Sequence, residues 1–309
     1  MPEVKLKVKQ ARKLPNKKRG RRLIIQGIAI VLLFSLLVSF GVCWSIAHPR
    51  RYPVDKTPAA LGLDYQDVTF PSREDHLPIK GWLLPAANSD RTVIIAHGYS
   101  NNRLQDDVPA LSLAEALVNA GYHVLMFDFR NCGESAGNMT SIGQYEVRDL
   151  LGAIDFVRSH PDITHRIALL GFSMGASTAI LVGSREPAVD AVIADSPFAD
   201  LKRHLGSRSY PFHALLLPEL SLLTGINPEQ VSPVRAVQNF SPRPLLLIHG
   251  DADRDIPVAN SREIFRAARA AGFEANLWIV PGADHLKSYS KAPKDYSLKV
   301  IEFLDNSLK

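Results

Sequence analysis

The chain has 309 residues, 46% of them hydrophobic and 22% charged, with a net charge of +5 and two cysteines. Two cysteines, one of them inside an apolar run, give no disulfide framework, so the folded part must be held together by its core. Residues 1–22 contain ten Lys or Arg and one acid, which contributes +9 and leaves −4 for the remainder. The folded part therefore offers no basic surface, and we expect no nucleic-acid partner.

The first predicted element is the uncharged apolar run Leu23–Ala47. At about 1.5 Å per residue, a helix of this length exceeds the roughly 30 Å hydrocarbon core of a bilayer. The basic segment before it predicts a cytoplasmic N-terminus, and Trp44 fits an interfacial aromatic at the exit. We therefore expect a basic tail over 1–22, one transmembrane helix over 23–47, and a cell-membrane protein whose folded domain lies outside the cytoplasm.

A cleaved signal peptide is the alternative interpretation of this segment. Ser45-Ile46-Ala47 has the small-x-small pattern of a cleavage site. The apolar run is longer than the 7–15 residues of an ordinary signal peptide, and the basic region before it is also long. These two lengths favour an uncleaved anchor.

A short Pro- and Arg-rich linker over 48–60 precedes a single domain of about 245 residues, 61–309, which is ample for one α/β core. Apolar runs predict strands near 66–70, 78–84, 92–97, 122–128, 166–171, 190–195, 244–249 and 275–280. Helical patterns fall near 109–120, 143–159, 174–185, 258–271 and 295–308. The alternation predicts an α/β fold: a mostly parallel eight-stranded sheet with helices on both faces and an antiparallel start.

One segment, 199–243, interrupts this alternation. It contains the apolar stretch Ala214–Leu223 between two predicted strands. We expect a small helical cap with an apolar inner face that includes Leu215 and Leu216 and favours an acyl chain. The alternative is one ordinary crossover helix followed by a long loop.

The pentapeptide Gly171-Phe172-Ser173-Met174-Gly175 lies between a predicted strand and a predicted helix. In that context G-x-S-x-G is typical of a nucleophile elbow, in which a strained turn projects the serine hydroxyl from the sheet. The two glycines let neighbouring backbone pass closely, because they carry no Cβ. Ser173 is the predicted nucleophile, and the N–H of Met174 is one expected donor of an oxyanion hole.

A serine nucleophile needs a neighbouring base and an acid that orients it. His285 follows the last predicted strand and is the expected base. Four aspartates compete to orient it: Asp251, Asp253 and Asp255 after the preceding strand, and Asp284 beside the histidine. The order Ser, Asp, His is the order of α/β-hydrolases.

Six stretches carry a resemblance to a known family. They are Ala96–Ser100, Asp128–Ser135, Gly171–Gly175, Asp195–Phe198, His249–Asp253 and Gly282–His285. With these motifs the chain resembles α/β-hydrolase-fold serine hydrolases, in particular the branch of monoglyceride-lipase-like and serine-aminopeptidase-like enzymes. The resemblance implies that Asp253 is the acid and that Tyr99 supplies the second oxyanion amide. We expect His97 and His249 to form hydrogen bonds within their loops, and Asp128 and Arg130 to form a structural pair that braces the active-site loops.

The leading functional expectation is a membrane-anchored serine hydrolase that cleaves carboxylic esters through an acyl-enzyme. Its expected partners are a small-molecule or lipid-like acyl substrate and the membrane, and we expect no cofactor and no metal ion. Peptide or amide hydrolysis uses the same three residues and stays open, as does acyl transfer to an alcohol. A non-catalytic binding protein on a hydrolase scaffold is the alternative from another class.

Overall fold

A computed structural model describes residues 17–160, 166–211, 213–240 and 243–309. The strands are β1 Gln66–Pro71, β2 Pro78–Leu84, β3 Arg91–Ala96, β4 His123–Phe127, β5 Arg166–Phe172, β6 Ala191–Asp195, β7 Leu245–Gly250 and β8 Ala275–Val280. The α-helices are α1 Lys17–Ala47, α2 Ala110–Asn119, α3 Glu146–Arg158, α4 Met174–Gly183, α5 Leu201–Gly206, α6 His213–Thr224, α7 Pro233–Ala236, α8 Ala259–Ala270, α9 Ser288–Lys291 and α10 Pro293–Ser307.

The eight strands form one sheet in the order β1-β2-β4-β3-β5-β6-β7-β8. The pairs β1–β2 and β2–β4 are antiparallel and the other pairs are parallel. The expected mostly parallel sheet with an antiparallel start is therefore confirmed. The parallel strands read as continuous apolar runs because helices cover them on both sides.

Two hydrophobic clusters occupy the two faces of the sheet. One includes Ile154 of α3, Ala179 of α4 and Ile264 of α8. The other includes Leu117 of α2 and Val300 of α10. The core is thus divided by the sheet, and the carboxyl ends of the parallel strands form the edge where loops assemble.

The stretch 199–243 holds α5, α6 and α7 and two short 3-10 turns in its described part. The alternative of one ordinary crossover helix is therefore wrong. The helix α6 packs against α1, and the Cys43 thiol donates to the Leu216 carbonyl over 3.4 Å.

The segment between α1 and β1 is bonded to the domain. The Arg51 guanidinium donates to the Ser135 carbonyl over 2.9 Å and to the Asn131 side chain over 3.2 Å. The Asn102 amide donates to the Pro53 carbonyl over 2.9 Å. These bonds fix α1 relative to the loops at the carboxyl edge of the sheet.

Candidate active site

Ser173 is the single residue between β5 and α4, where the chain makes a sharp turn. Its φ of 52° lies in a region that non-glycine residues rarely adopt, so the turn is strained. A Cβ on Gly171 would lie 2.3 Å from the Gly175 carbonyl oxygen, and a Cβ on Gly175 would lie 2.1 Å from the Ala96 carbonyl oxygen. Only glycine fits at either position, which is why the G-x-S-x-G spacing holds the serine in this conformation.

A chain of hydrogen bonds joins the three residues expected to act together. The Ser173 Oγ lies 3.0 Å from His285 Nε2, and His285 Nδ1 lies 2.7 Å from Asp253 Oδ2. Asp253 follows β7 and His285 follows β8, so adjacent strand ends bring them to Ser173. This arrangement can deprotonate a hydroxyl during attack and return the proton to a leaving group.

The other three aspartates are placed elsewhere. Asp251 accepts from the Gly282 N–H over 2.6 Å, and Asp284 accepts from the N–H groups of Arg254 and His285. Asp255 is exposed and lies 3.5 Å from the guanidinium of Arg208. Asp253 therefore bonds to the imidazole, whereas Asp251 and Asp284 accept from backbone N–H groups of loop turns, and Asp255 lines the cavity beside Ser173.

The protonation states of Asp253 and His285 follow from their surroundings. Burial would raise the pKa of Asp253, but hydrogen bonds from His249 and His285 outweigh it and hold that pKa well below its ordinary value. For His285, burial disfavours the imidazolium, yet the hydrogen bond and charge of Asp253 raise its pKa above the ordinary 6.5. Asp253 is therefore a permanent anion that strengthens His285 as a base.

His249 contacts the acid of the site, a role that the sequence did not predict. Its Nε2 lies 2.7 Å from the Ile256 carbonyl oxygen and 3.2 Å from Asp253 Oδ2, while Nδ1 lies 2.7 Å from the Ser261 hydroxyl. Because a carbonyl can only accept, Nε2 carries the proton and donates. The expected bond within the loop is present, and a second one reaches the acid. Its position four residues before Asp253 was the available signal.

The loop after β3 lies beside Ser173. Gly98 N–H donates to the Gln105 side chain over 2.5 Å, and the His97 ring lies between the Gly98 carbonyl and the Phe129 N–H. Burial lowers the pKa of His97, so its ring is neutral and holds the loop in place, as expected.

The two expected oxyanion donors have suitable positions. Tyr99 follows Gly98 at this turn, and Met174 begins α4, where first-turn amides lack an intrahelical acceptor. Both residues line the cavity next to Ser173. Two backbone N–H groups beside the serine can stabilise negative charge on a substrate oxygen.

A cavity of about 290 Å³ opens onto Ser173 and His285. Its wall on the side of segment 199–243 comes from α5 and the residues around it: Phe198, His204, Leu205, Arg208 and Tyr210. The expectation that Leu215 and Leu216 line an acyl pocket is wrong, because neither lines this cavity and Leu216 is buried where α6 meets α1.

The end of α1 reaches the same cavity. Ile46 forms part of its wall, and the Ile46 carbonyl accepts from the Tyr99 hydroxyl over 2.8 Å. The Ala47 carbonyl accepts from the Thr140 N–H over 2.8 Å. The apolar N-terminal helix is therefore joined to the loop that carries an expected oxyanion donor.

Asp128 and Arg130 brace the loops through partners other than each other. Asp128 pairs with the buried Arg103 over 2.6 Å, and Arg130 pairs with Asp149 over 2.7 Å. The expected Asp128–Arg130 pair is therefore wrong, because each side chain finds a partner distant in sequence. Within the described residues no cluster of three or more His, Cys, Asp or Glu side chains is arranged to hold a metal ion.

The chain is similar to several known proteins. The family model described as the prolyl oligopeptidase family matches residues 107–309. The Bacillus subtilis protein YqkD is 32% identical over 238 residues, covering 74% of this chain and 75% of YqkD. The human acylamino-acid-releasing enzyme is 25% identical over 288 residues, covering 86% of this chain and 37% of that enzyme.

Among solved structures, the Pyrococcus furiosus esterase Pf2001 superimposes with a TM-score of 0.73 and 29% sequence identity. The match covers 85% of this chain and 99% of the esterase. The fold and these relatives define the class: the protein is an enzyme, a serine hydrolase of the α/β-hydrolase superfamily. More particularly, the chain belongs to the prolyl oligopeptidase family.

Proposed function

We propose that this protein is a membrane-anchored serine hydrolase that cleaves carboxylic esters through an acyl-enzyme intermediate. The observation that carries the proposal is the aligned chain of hydrogen bonds from Ser173 Oγ through His285 to Asp253, with separations of 3.0 and 2.7 Å. It gives a nucleophile, a base and an orienting anion in the required sequence of contacts.

The proposed reaction has two halves. His285 Nε2 takes the Ser173 proton as Oγ bonds to the ester carbonyl carbon, and the N–H groups of Tyr99 and Met174 stabilise the resulting oxyanion. His285 then protonates the departing alcohol, and the acyl group stays on Ser173. Water, deprotonated by the same imidazole, attacks the acyl-enzyme; the bond from the acyl carbon to Oγ then breaks, and His285 returns the proton to Ser173 Oγ as the carboxylic acid leaves. Asp253 stabilises each transient imidazolium.

Peptide or amide hydrolysis is the second candidate, and the family match and the acylamino-acid-releasing enzyme favour it. The chain spans about a third of that enzyme, whereas it matches nearly the whole of the Pf2001 esterase. This difference in coverage supports the ester as the leading substrate.

Anchoring by α1 is part of the proposal. The region Gly20–Ala47 is long and apolar enough to cross a membrane, a property that a signal sequence near the N-terminus shares. Cleavage after Ala47 would remove the carbonyl groups that hold Tyr99 and Thr140. This loss supports an uncleaved helix, with the basic tail in the cytoplasm and the hydrolase domain outside.

A fluorophosphonate probe tests the nucleophile and its sidedness together. We expect labelling of the full-length chain in intact cells as well as in permeabilised cells, and none in the Ser173→Ala variant. Equal labelling of the variant would reject Ser173, and labelling only after permeabilisation would reject the orientation. Absence of any labelling would favour a non-catalytic binding protein.

A matched substrate panel then separates the two reactions. Acyl esters and aminoacyl amides that share the same acyl group isolate the scissile bond. Faster ester turnover supports the proposal, and faster amide turnover replaces it with a peptidase. Ester consumption that depends on an added alcohol acceptor would identify an acyltransferase.

A further inference from the structure

The helix α1 buries one row of small side chains. Ser35, Ser39, Cys43 and Ala47 recur at every fourth position and are buried, while most large side chains of α1 are exposed. Residues four apart share one helix face, and small side chains there let another helix approach closely. The element packed along this face is α6, and the Cys43–Leu216 contact marks the meeting point.

The opposite side of α6 is mostly apolar and exposed, with Ser221 as an exposed polar residue, and its first half borders a groove that Lys202 and Glu229 also line. Leu216 and Leu220 are buried, but Ala214, Pro218 and Leu222 form an outward row with the same four-residue spacing. Leu222 is 84% exposed and its neighbour Leu223 is 48% exposed. A helix that is apolar on its outer side as well as on its packed side is typical of an element surrounded by apolar material.

The position of α6 along α1 indicates that this apolar material is the lipid bilayer. A span of about 20 residues crosses the hydrocarbon core, so a core that starts at Leu23 ends near residue 42. Ser35 and Ser39 then lie inside the outer half of the bilayer, and a helix packed on them lies at the same depth. Glu219, the acid of α6, has its Oε2 atom buried instead of facing outward.

We propose that α6 lies in the outer leaflet beside α1, and that the two helices hold the cavity of Ser173 at the membrane surface. This inference rests on the proposed function and deepens it. Ile46, in the last turn of α1, already forms a wall of that cavity. The substrate is then an acyl ester of a membrane lipid, which reaches Ser173 from the leaflet.

The size and lining of the cavity agree with this substrate class. About 290 Å³ is at the small end for ligand pockets, so it holds the ester and a limited part of a lipid. Its lining mixes apolar side chains such as Leu205 with polar ones such as Arg208 and Asn101. Such a mixed site suits the boundary between lipid headgroup and chain, and the remaining chain stays in the bilayer.

Lipid contact is measured first, without using turnover. The full-length Leu222→Cys variant carries an environment-sensitive fluorophore and is reconstituted in phosphatidylcholine vesicles that contain a lipid-borne quencher. Leu298→Cys on α10 is the matched control, since Leu298 is an exposed leucine on another helix. Mock-labelled wild type corrects for the two buried native cysteines. We expect several-fold stronger quenching at position 222, and equal quenching at both positions would overturn the inference.

Turnover is measured second, with one soluble short-chain ester and one long-chain acyl glycerol held in the same vesicles. We expect Leu222→Glu/Leu223→Glu to lose at least about tenfold on the vesicle ester, because burial of two leucines in lipid is lost. The soluble ester should be cleaved as in wild type, and Leu298→Glu should change neither rate. Equal losses on both esters, or none, would overturn the inference. If wild type cleaves neither ester while position 222 is quenched, the proposed function fails and the membrane contact stands.

Discussion

Two regions of the molecule meet at Ser173 and are built in different ways. At the sheet edge, close backbone contacts require glycine at 171 and 175, and partly buried hydrogen bonds fix His285 and Asp253. Where α1 meets α6, small side chains of α1 form the contact, and the Cys43 thiol adds a hydrogen bond of 3.4 Å. Backbone and side chains at the sheet edge are therefore held in one arrangement, whereas the contact between α1 and α6 can vary in shape.

This difference assigns different tasks to the two regions. Reacting groups must be held in a fixed geometry, and the strained turn at Ser173 persists because its surroundings over-determine it. Substrate choice depends on the shape and polarity of a wall, which side-chain substitutions can change at low cost. Variants at the sheet edge should therefore lower kcat for every substrate, and variants at the end of α1 should change the preference between substrates.

The largest effect is expected for Asp253→Asn. The amide would donate to His285 Nδ1 and leave Nε2 protonated, so the imidazole could no longer accept the Ser173 proton; kcat should fall roughly 10⁴-fold. The pH profile gives a second readout. In wild type the raised pKa of His285 places the acid limb of kcat/KM above pH 6.5, since activity is lost as the imidazole becomes protonated.

Without the Asp253 anion, His285 loses the hydrogen bond and the charge that raise its pKa most, while burial, the largest influence, still lowers that pKa. The acid limb of the residual activity should therefore move to lower pH than in wild type, measured with one soluble ester across the pH range. Asp251→Asn is the matched control, since Asp251 accepts from the Gly282 N–H and does not line the cavity, and it should keep nearly full activity. An acid limb that stays in place in Asp253→Asn would show that Asp253 does not set the pKa of His285.

A smaller effect is expected for His249→Ala, which removes a donor to Asp253 Oδ2. Hydrogen bonds to charged groups contribute about 1.5–3 kcal/mol, which corresponds to roughly 10- to 100-fold in kcat if the bond positions the acid. Because His249 does not line the cavity, KM should stay unchanged. Ser261→Ala removes only the partner of Nδ1 and should cost less. A lower melting temperature with full kcat would make His249 purely structural.

Much of the scaffold was predictable from local patterns. Strands such as β2, expected near 78–84 and observed at Pro78–Leu84, are apolar runs bounded by turn residues. The turn at Ser173 was predictable because two glycines at fixed spacing have a steric cause that acts over five residues. Local signals therefore gave the sheet and the position of the serine.

Pairings between distant segments were not predictable in the same way. Asp128 was expected to pair with the nearby Arg130, but each binds a side chain brought in by another loop or helix. Leu216 was expected to face the cavity, because an apolar helix without a clear polar face does not indicate which side is covered. The structure places it against α1, a contact that spans 173 residues of sequence.

The smallest effect is expected for Ile46→Ala, at the end of α1. The substitution opens space in the cavity wall without altering Ser173, His285 or Asp253. The ratio of kcat/KM for a longer acyl ester over the acetyl ester should rise by about fourfold for each methylene that the new space accommodates. Ile28→Ala, an exposed position on the same helix, should leave the ratio unchanged. An unchanged ratio in Ile46→Ala would mean that α1 is only a tether, and that the fixed sheet edge alone determines which ester is cleaved.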